Sequence, residues 1–342
     1  MKEYSRYDRQ MILREIGREG QKKLEHSCVA IVGLGALGSV SANLLARAGV
    51  GKLFLIDRDF LELSNLQRQM LYDEKDVHDH LPKAIAAENH LRDINSEIQI
   101  HGIVSDINAN NIHAILQGVD LIVDGSDNFE TRFLLNDYSL QNETPWIYGG
   151  AIRTEGMSYV ILPGERPCLR CLFGEAPKHN HMQTCSQVGV LSTVSHLIAS
   201  FQATEAIKIL AGQRERVDPK MWKVDIWSKT FKSISVEHLM NFACSGCSMD
   251  AYPYLEYQQG TQSLSLCGRN AVQIYKSNED FVDFKLLAEK INDKAKVSFN
   301  EYVLNISSAP YEITVFRNGR AIIKGTEDQG QAKSLYSQFV GC

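Results

Sequence analysis

The sequence lacks the features that mark membrane-spanning, secreted and nucleic-acid-binding proteins. It has no apolar run near the roughly 20 residues that a transmembrane helix needs, and its first residues are polar, unlike a signal peptide. The net charge is −5, so no basic field attracts nucleic acid or anionic lipid. Hydrophobic residues make up 44% of the 342 positions, which suffices for a sizeable core. These features predict a cytoplasmic globular enzyme or binding protein with no membrane or nucleic-acid partner.

Cysteine is too sparse for a disulfide-stapled scaffold, since the chain has eight cysteines at uneven spacing. Four of them stand alone and four form two C-x-x-C pairs. The single cysteines are Cys28, Cys185, Cys267 and Cys342, and the pairs are Cys168 with Cys171 and Cys244 with Cys247. Pairs of this kind in a reducing compartment indicate metal or redox chemistry rather than a structural bridge.

Apolar runs alternate with helical patterns from Cys28 to Ala151. The first unit is a strand, a glycine turn, a helix over 36–48 and a second strand that ends at Asp57. Unbroken apolar strands between helices predict a doubly wound, mostly parallel α/β sheet of the Rossmann-like kind. Antiparallel strands are expected over 157–164, 221–228 and 231–239, with a long helix over 190–210.

Residues 249–342 are predicted to form a small α+β extension, separate from a main domain over 1–248. The segment 248–263 is turn-rich and is interpreted as a linker. Asn318-Gly319 lies between two alternating β-rich runs, which is a strong hairpin signal. The role of this extension does not follow from its sequence.

The glycine turn has the spacing Gly33-x-Gly35-x-x-Gly38. In a nucleotide fold, the first glycine permits a tight turn, the second lets a phosphate approach the backbone, and the third lets helix and strand pack closely. Asp57 lies where a carboxylate would bind ribose hydroxyls. This pattern alone favours a nucleotide, most commonly NAD or FAD, and the alternative is a tight turn with no ligand.

The polar residues after Asp57 argue against a dinucleotide. Asn65, Arg68 and Gln69 lie on a short polar stretch, and Lys83 opens the next helix. The cations among them, Arg68 and Lys83, suit the phosphates of a triphosphate. The chain has no Walker-type sequence, so a P-loop ATPase is excluded. The alternative for Arg68 and Lys83 is ordinary surface solvation.

Asp127 follows the apolar run that ends near Asp124, at the edge of the sheet where ligands bind in open parallel folds. A Mg²⁺ ion on nucleotide phosphates would use one or two such carboxylates. The alternative is that an aspartate caps the helix predicted from Phe129, and Asp124 and Asp127 leave room for both roles.

Taken together, the motifs resemble those of the ubiquitin-activating-like adenylyltransferases of the MoeB/ThiF/HesA type. The resemblance covers about Tyr4 to Ser248 and is carried by RYDRQ, GLGALG, DRD, SNLQRQ, LPK, SDN, CLRC, TCSQVGV and CSGC, in that order. It implies a doubly wound fold and adenylation, with Mg-ATP, of the C-terminal Gly-Gly carboxylate of a ubiquitin-fold sulfur carrier. A carboxylate is already ionised at neutral pH, so this chemistry needs no general base.

The resemblance also implies a role for each motif residue. Asp57 would bind the ribose, Asn65, Arg68, Gln69 and Lys83 the phosphates, Asp127 the Mg²⁺, and Gly33, Gly35 and Gly38 would form the nucleotide loop. Arg9 would reach the ATP site of the other subunit of a homodimer, and Cys168, Cys171, Cys244 and Cys247 would bind a structural zinc ion.

The carrier is left open between a MoaD-like protein of molybdopterin synthesis and a ThiS-like protein of thiazole synthesis. Residues 151–156 favour the former slightly. Cys185 is either a site of covalent attachment to the carrier or a buried thiol, and a persulfide donor such as a cysteine desulfurase is an expected partner. The other function classes are an NAD-linked oxidoreductase and a non-catalytic nucleotide-binding scaffold.

Overall fold

A computed structural model describes residues 6–175, 188–240, 244–249, 251–256, 263–266, 270–274, 282–291 and 295–341. Contacts between residues divide the chain into two compact units, Met1–Tyr257 and Gln258–Cys342. The division into functional domains at residue 248 stays a prediction. No described helix combines the length and hydrophobicity that crossing a bilayer requires.

The first unit contains an eight-stranded sheet. Its strands are β1 (Cys28–Val32), β2 (Lys52–Asp57), β3 (Gln99–Val104), β4 (Leu121–Asp124), β5 (Trp146–Ile152), β6 (Glu155–Ile161), β7 (Met221–Asp225) and β8 (Thr230–Ile234). The order across the sheet is β3-β2-β1-β4-β5-β6-β7-β8. The first five strands in this order, from β3 through β2, β1 and β4 to β5, pair in parallel. From β5 to β8, each strand pairs with the next in antiparallel fashion. This confirms the predicted α/β fold with its antiparallel extension.

Helices cover both faces of this sheet. They are α1 (Asp8–Met11), α2 (Gly17–His26), α3 (Gly38–Ala48), α4 (Leu63–Leu66), α5 (Glu74–His78), α6 (Lys83–Ile94), α7 (Ile112–Ile115), α8 (Phe129–Gln141), α9 (Leu169–Phe173), α10 (Ser192–Leu210), α11 (Ser245–Met249) and α12 (Pro253–Glu256). Short 3₁₀ turns occur at Arg214–Arg216 and Glu237–Leu239. The long helix predicted over 190–210 is α10.

The central strands are apolar on both faces because each face supports its own core. Val29 and Ile31 of β1 pack into one cluster with Leu45 of α3, whereas the alternate residues Ala30 and Val32 pack into a second cluster. A strand that is buried on both sides reads as an unbroken apolar run, which is why the sequence predicts these strands well.

The predicted linker is partly folded onto the first unit. Within it, α12 places Tyr254 against Phe133 of α8, with ring centroids 5.3 Å apart, and the Tyr254 amide donates to Asp137 Oδ2 at 3.0 Å. The interpretation of this stretch as a plain linker was therefore wrong for 251–256, because its aromatic residue has a packing partner 117 residues away in the chain.

The second unit is built on a six-stranded antiparallel sheet of order β11-β12-β13-β14-β10-β9. Its elements are β9 (Ser263–Leu266), β10 (Ala271–Ile274), α13 (Phe284–Ile291), β11 (Lys296–Phe299), β12 (Val303–Ser308), β13 (Tyr311–Phe316), β14 (Ala321–Lys324) and α14 (Gln329–Phe339). The hairpin predicted around Asn318-Gly319 joins β13 to β14. Residues of both helices pack on one face of the sheet to form the core.

Candidate active site and cysteine cluster

The glycine loop runs from β1 into α3 and has the tight geometry that its spacing predicts. Gly33 has a φ of +87°, and a Cβ atom there would lie 2.7 Å from the carbonyl oxygen of Gly125. A Cβ atom at Gly38 would overlap the carbonyl oxygen of Gly33. At Gly35, in contrast, the nearest atom to such a Cβ is Gln69 Nε2, at 3.9 Å. The backbone at Gly35 is thus open to a ligand, and no side chain caps the N-terminus of α3.

Asp57 ends β2 and holds this loop through its carboxylate. The Leu34 amide donates to Asp57 Oδ2 at 2.7 Å, and the Asp59 amide donates to Oδ1 at 2.7 Å. Tyr72 adds a hydroxyl that donates to the Leu34 carbonyl at 2.9 Å. Burial raises the pKa of Asp57, while Lys83 opposes this rise. The carboxylate therefore lies beside the glycine loop, where the sequence analysis expected it.

Lys83 begins α6 and is buried, with 5% of its surface exposed. Its Nζ atom donates to Asp59 Oδ2 at 3.3 Å, and its amide donates to the Asp59 carbonyl at 2.9 Å. Sequence analysis missed Asp59, although its place two residues after Asp57 was the available signal. The buried Lys83 side chain is thus paired with the Asp59 carboxylate at the start of α6.

Asn65, Arg68 and Gln69 lie on one helical turn between β2 and α6. Asn65 is buried, and its Oδ1 accepts from the Glu62 amide at 3.1 Å, which caps α4. Gln69 is 3% exposed, and its Oε1 has no hydrogen-bond partner among the described residues. Arg68 is partly exposed and donates to the Ser64 carbonyl at 2.8 Å. The structure thus brings Gln69 against Gly35, with Arg68 beside it in the chain.

A buried ion pair shapes the turn after β4. Arg132 Nε donates to Asp124 Oδ2 at 3.0 Å, and its Nη2 donates to the carbonyls of Ser126 and Gly149. Burial would lower the pKa of Arg132, but the Asp124 carboxylate together with Tyr148 and Asp127 outweighs this effect and leaves that pKa raised. Ser126 donates both its amide and its hydroxyl to Asp124 Oδ1. Both oxygens of the Asp124 carboxylate therefore accept hydrogen bonds that hold this turn.

Asp127 is exposed next to this turn, which contacts the glycine loop through Gly125. The N-cap of α8 is Asn128, whose Oδ1 accepts from the Thr131 amide at 2.8 Å. The alternative role considered for the aspartates, capping this helix, is therefore filled by Asn128. The exposed carboxylate of Asp127 remains near the loop, where a metal ion on phosphates would lie.

Arg9 is not brought to this site within its own chain. It is exposed on α1, and the neighbouring Gln10 donates to the Ala48 carbonyl at 2.9 Å, at the C-terminal end of α3. The glycine loop lies at the other end of that helix. Cys185 lies outside the described residues.

The two C-x-x-C pairs meet in one cluster. The Sγ atom of Cys168 lies 3.8 Å from that of Cys171 and 3.7 Å from that of Cys244, and the Sγ atoms of Cys171 and Cys247 are 3.8 Å apart. All four ligand atoms lie within 4.8 Å of one another. A tetrahedral Zn²⁺ with Zn–S bonds of about 2.3 Å requires sulfur atoms about 3.8 Å apart. The donor set therefore fits a closed zinc site.

The cluster joins the N-cap of α9 to the start of α11, 76 residues later. Cys168 is fully buried, and Cys244 is 6% exposed. The hydrogen bond that Cys168 donates to Cys171, together with burial, raises the pKa of the Cys168 thiol. A metal ion reverses this effect because coordinated thiols are deprotonated.

A family model described as the ThiF family matches residues 7–246. The chain belongs to the ThiF family. It is 40% identical over 337 residues to the sulfur carrier protein ThiS adenylyltransferase of Bacillus subtilis, in an alignment that covers 98% of this chain and 99% of that protein. It is 38% identical over 229 residues to the SAMP-activating enzyme E1 of Haloferax volcanii, covering 67% of this chain and 84% of that one.

A crystal structure of E. coli MccB with ATP has the same fold as this ThiF-family chain. The two are 25% identical, with a TM-score of 0.61, and the match covers 71% of this chain and 74% of MccB. The extent of these matches confirms the family resemblance drawn from the motifs.

Proposed function

We propose that this ThiF-family protein uses ATP to adenylylate the C-terminal glycine carboxylate of a ubiquitin-fold sulfur carrier and releases pyrophosphate. The observation that carries this proposal is one contiguous group of residues at the glycine loop. Gly35 offers open backbone, Asp57 holds the loop, and Lys83 supplies a buried cation. Family membership and the similarity to an adenylyltransferase support the same activity.

The chemistry requires positioning and charge neutralisation rather than a general base. The carrier carboxylate attacks the α-phosphorus, the bond to the β-phosphate oxygen breaks, and pyrophosphate leaves with its negative charge. Lys83 and Arg68 would neutralise the phosphates, Gln69 and Asn65 would orient them, and Asp57 would bind the ribose. Gln69 Nε2, the nearest atom to a Cβ built at Gly35, would donate to a phosphate oxygen.

Asp127 would hold the Mg²⁺ ion that accompanies ATP. It is exposed on the turn after β4, and the buried ion pair between Asp124 and Arg132 holds that turn in place. A carboxylate on a rigid turn can bind a cation without having to be ordered first, which lowers the entropic cost of binding.

Arg9 would complete the site of a second copy of the chain. The helix α3 has 11 residues, so the Ala48 end that holds the Arg9 segment lies about 15 Å from the glycine loop. This distance exceeds the reach of an arginine side chain. Ile12 and Leu13 follow Arg9 and are 70% and 52% exposed, which favours burial against another subunit.

The cysteine cluster would hold a structural zinc ion, because four thiolates leave no open position for catalysis. We further propose that the carrier is of the ThiS type. The relative that matches nearly the whole chain, including the second unit, carries ThiS in its name. This choice replaces the slight preference for a MoaD-like carrier that residues 151–156 gave.

Exchange of labelled pyrophosphate into ATP, in the presence of a ThiS-type carrier that ends in Gly-Gly, tests the activity. Asp127→Ala and Arg9→Ala should each lose most exchange while keeping the fold. Mixing the two inactive variants should restore activity, because a mixed dimer has one site with both residues intact. About half of the dimers are mixed and half of their sites are complete, so about a quarter of wild-type activity is the ceiling.

Two results would contradict the proposal. Exchange at the wild-type rate in Asp127→Ala would show that this carboxylate does not hold the metal. No recovery on mixing, after subunit exchange has been demonstrated with differently tagged chains, would show that Arg9 does not act across an interface. The exposed Arg14→Ala variant provides a matched control on the same segment and should retain full exchange.

A further inference from the structure

A network of side-chain amides holds the segment that carries Arg9. Gln10 Nε2 donates to the Ala48 carbonyl at 2.9 Å and to Gln21 Oε1 at 2.7 Å. Gln21 is 1% exposed, and its own Nε2 donates to the same Ala48 carbonyl at 3.2 Å. These bonds join α1 to the end of α3 through the partly buried Gln10 and the buried Gln21.

Tyr7 provides the second attachment. It is 5% exposed, and its hydroxyl accepts from Asn95 Nδ2 at 2.8 Å. Asn95 is fully buried at the end of α6 and also donates to the Ala46 carbonyl at 2.7 Å. Gly49 lies under the Tyr7 ring, and a Cβ atom there would lie 2.6 Å from the ring carbon Cζ. We call Tyr7, Gln10, Gln21 and Asn95 the N-terminal clamp.

Arg9 lies between the two clamp residues of its own segment. The amides of Gln10 and Met11 both donate to the Tyr7 carbonyl, at 3.0 and 2.9 Å, and close a single turn. With residues 7 and 10 fixed on the buried side of this turn, the backbone of Arg9 has one orientation and its side chain faces outward. The clamp thus fixes the backbone from which the Arg9 side chain extends.

We propose that the N-terminal clamp positions Arg9 for the ATP site of a second copy of the chain. This inference rests on the proposed function, in which Arg9 acts across the dimer. A cation that stabilises the pyrophosphate leaving group is effective only if its position is fixed before the reaction. Tyr7, Gln10, Gln21 and Asn95 are therefore positioning residues: they lie at the end of α3 opposite the glycine loop and act through Arg9.

The double variant Tyr7→Ala/Gln10→Ala removes both anchors of the segment and keeps Arg9. Pyrophosphate exchange with the full-length protein should fall at least tenfold, toward the level of Arg9→Ala, while bound zinc stays near wild type. Tyr7→Phe keeps the ring beside Gly49 and should retain more exchange than Tyr7→Ala. Hydrogen exchange of the amides in Asp8–Met11 should accelerate in the double variant, and unchanged protection there would overturn the proposal.

Mixing experiments separate a positioning role from a structural role within the same chain. If the clamp acts through Arg9, the double variant should recover exchange when mixed with Asp127→Ala and should gain nothing with Arg9→Ala. If the clamp instead supports its own chain's nucleotide site, the pattern reverses: recovery with Arg9→Ala and none with Asp127→Ala. That reversed pattern, or wild-type exchange in the double variant, would refute the proposal.

The single variant Gln10→Ala leaves Tyr7 in place and provides the same readings if the double variant loses its fold. Failure of Arg9→Ala to complement Asp127→Ala would refute the shared site itself, and the positioning role with it. Success of that pair together with the reversed pattern for the clamp variant would refute the positioning role alone.

Discussion

Replacing Cys244 with serine should remove a ligand from the cysteine cluster and release a long loop. The cluster ties together two segments that lie 76 residues apart. For a cross-link that closes a loop of this length, the chain-entropy relation gives about 4.5 kcal/mol of stabilisation at 25 °C. At about 2–4 °C per kcal/mol for a chain unit of this size, the melting temperature should fall by about 10–15 °C.

Elemental analysis and calorimetry test this prediction together. The wild-type protein should contain about one zinc per chain, and Cys244→Ser should contain much less. Cys28→Ser is the matched control, because Cys28 is a partly exposed thiol at the start of β1, outside the cluster. In excess chelator, wild type and Cys244→Ser should unfold at nearly the same temperature. Metal-free wild-type protein that melts at the temperature of the untreated protein would refute the reasoning.

Two further predictions concern the nucleotide loop and its support. Arg132→Met leaves the Asp124 carboxylate buried without its cationic partner. The free energy of unfolding should therefore fall by about 3–5 kcal/mol in urea titrations. The exposed Arg47→Met variant is the control and should show almost no change. A loss below about 1 kcal/mol would contradict the role given to this ion pair. Gly38→Ala should lower both stability and ATP binding, because the added Cβ atom would overlap the Gly33 carbonyl. Gly35→Ala should weaken ATP binding but leave the melting temperature unchanged. Calorimetric titration with ATP checks both, and equal effects of the two substitutions on stability would contradict the geometry.

The parallel half of the main sheet was predictable because its signals are local. Strands β1 and β4 carry apolar residues on both faces, and the glycine spacing predicts the turn that follows β1. The helix predicted from Phe129 begins there as α8, and Asn128, a residue type that favours this position, is its N-cap. Local rules were sufficient for these elements.

The features that sequence analysis missed depend on partners far apart in the chain. Asp59 pairs with Lys83 across 24 positions, and Tyr7 meets Asn95 across 88. In the second unit, β11 is short and mostly exposed, so its alternation is weak and only its pairing with β12 defines it as a strand. Within the main unit, no local rule specifies that the two C-x-x-C pairs meet, and only the family resemblance led us to expect it.

The N-terminal clamp also completes the end of a helix. The last turn of any α-helix leaves carbonyl groups without partners inside the helix. At the end of α3, the Ala48 carbonyl accepts from the amides of Gln10 and Gln21, and the Ala46 carbonyl accepts from Asn95. Detaching the first residues of the chain would remove the Gln10 bond to the Ala48 carbonyl and the Tyr7 hydroxyl that accepts from Asn95, and would so loosen the end of α3. The terminal segment and the C-terminus of α3 should fray as one cooperative unit, although they lie far apart in sequence.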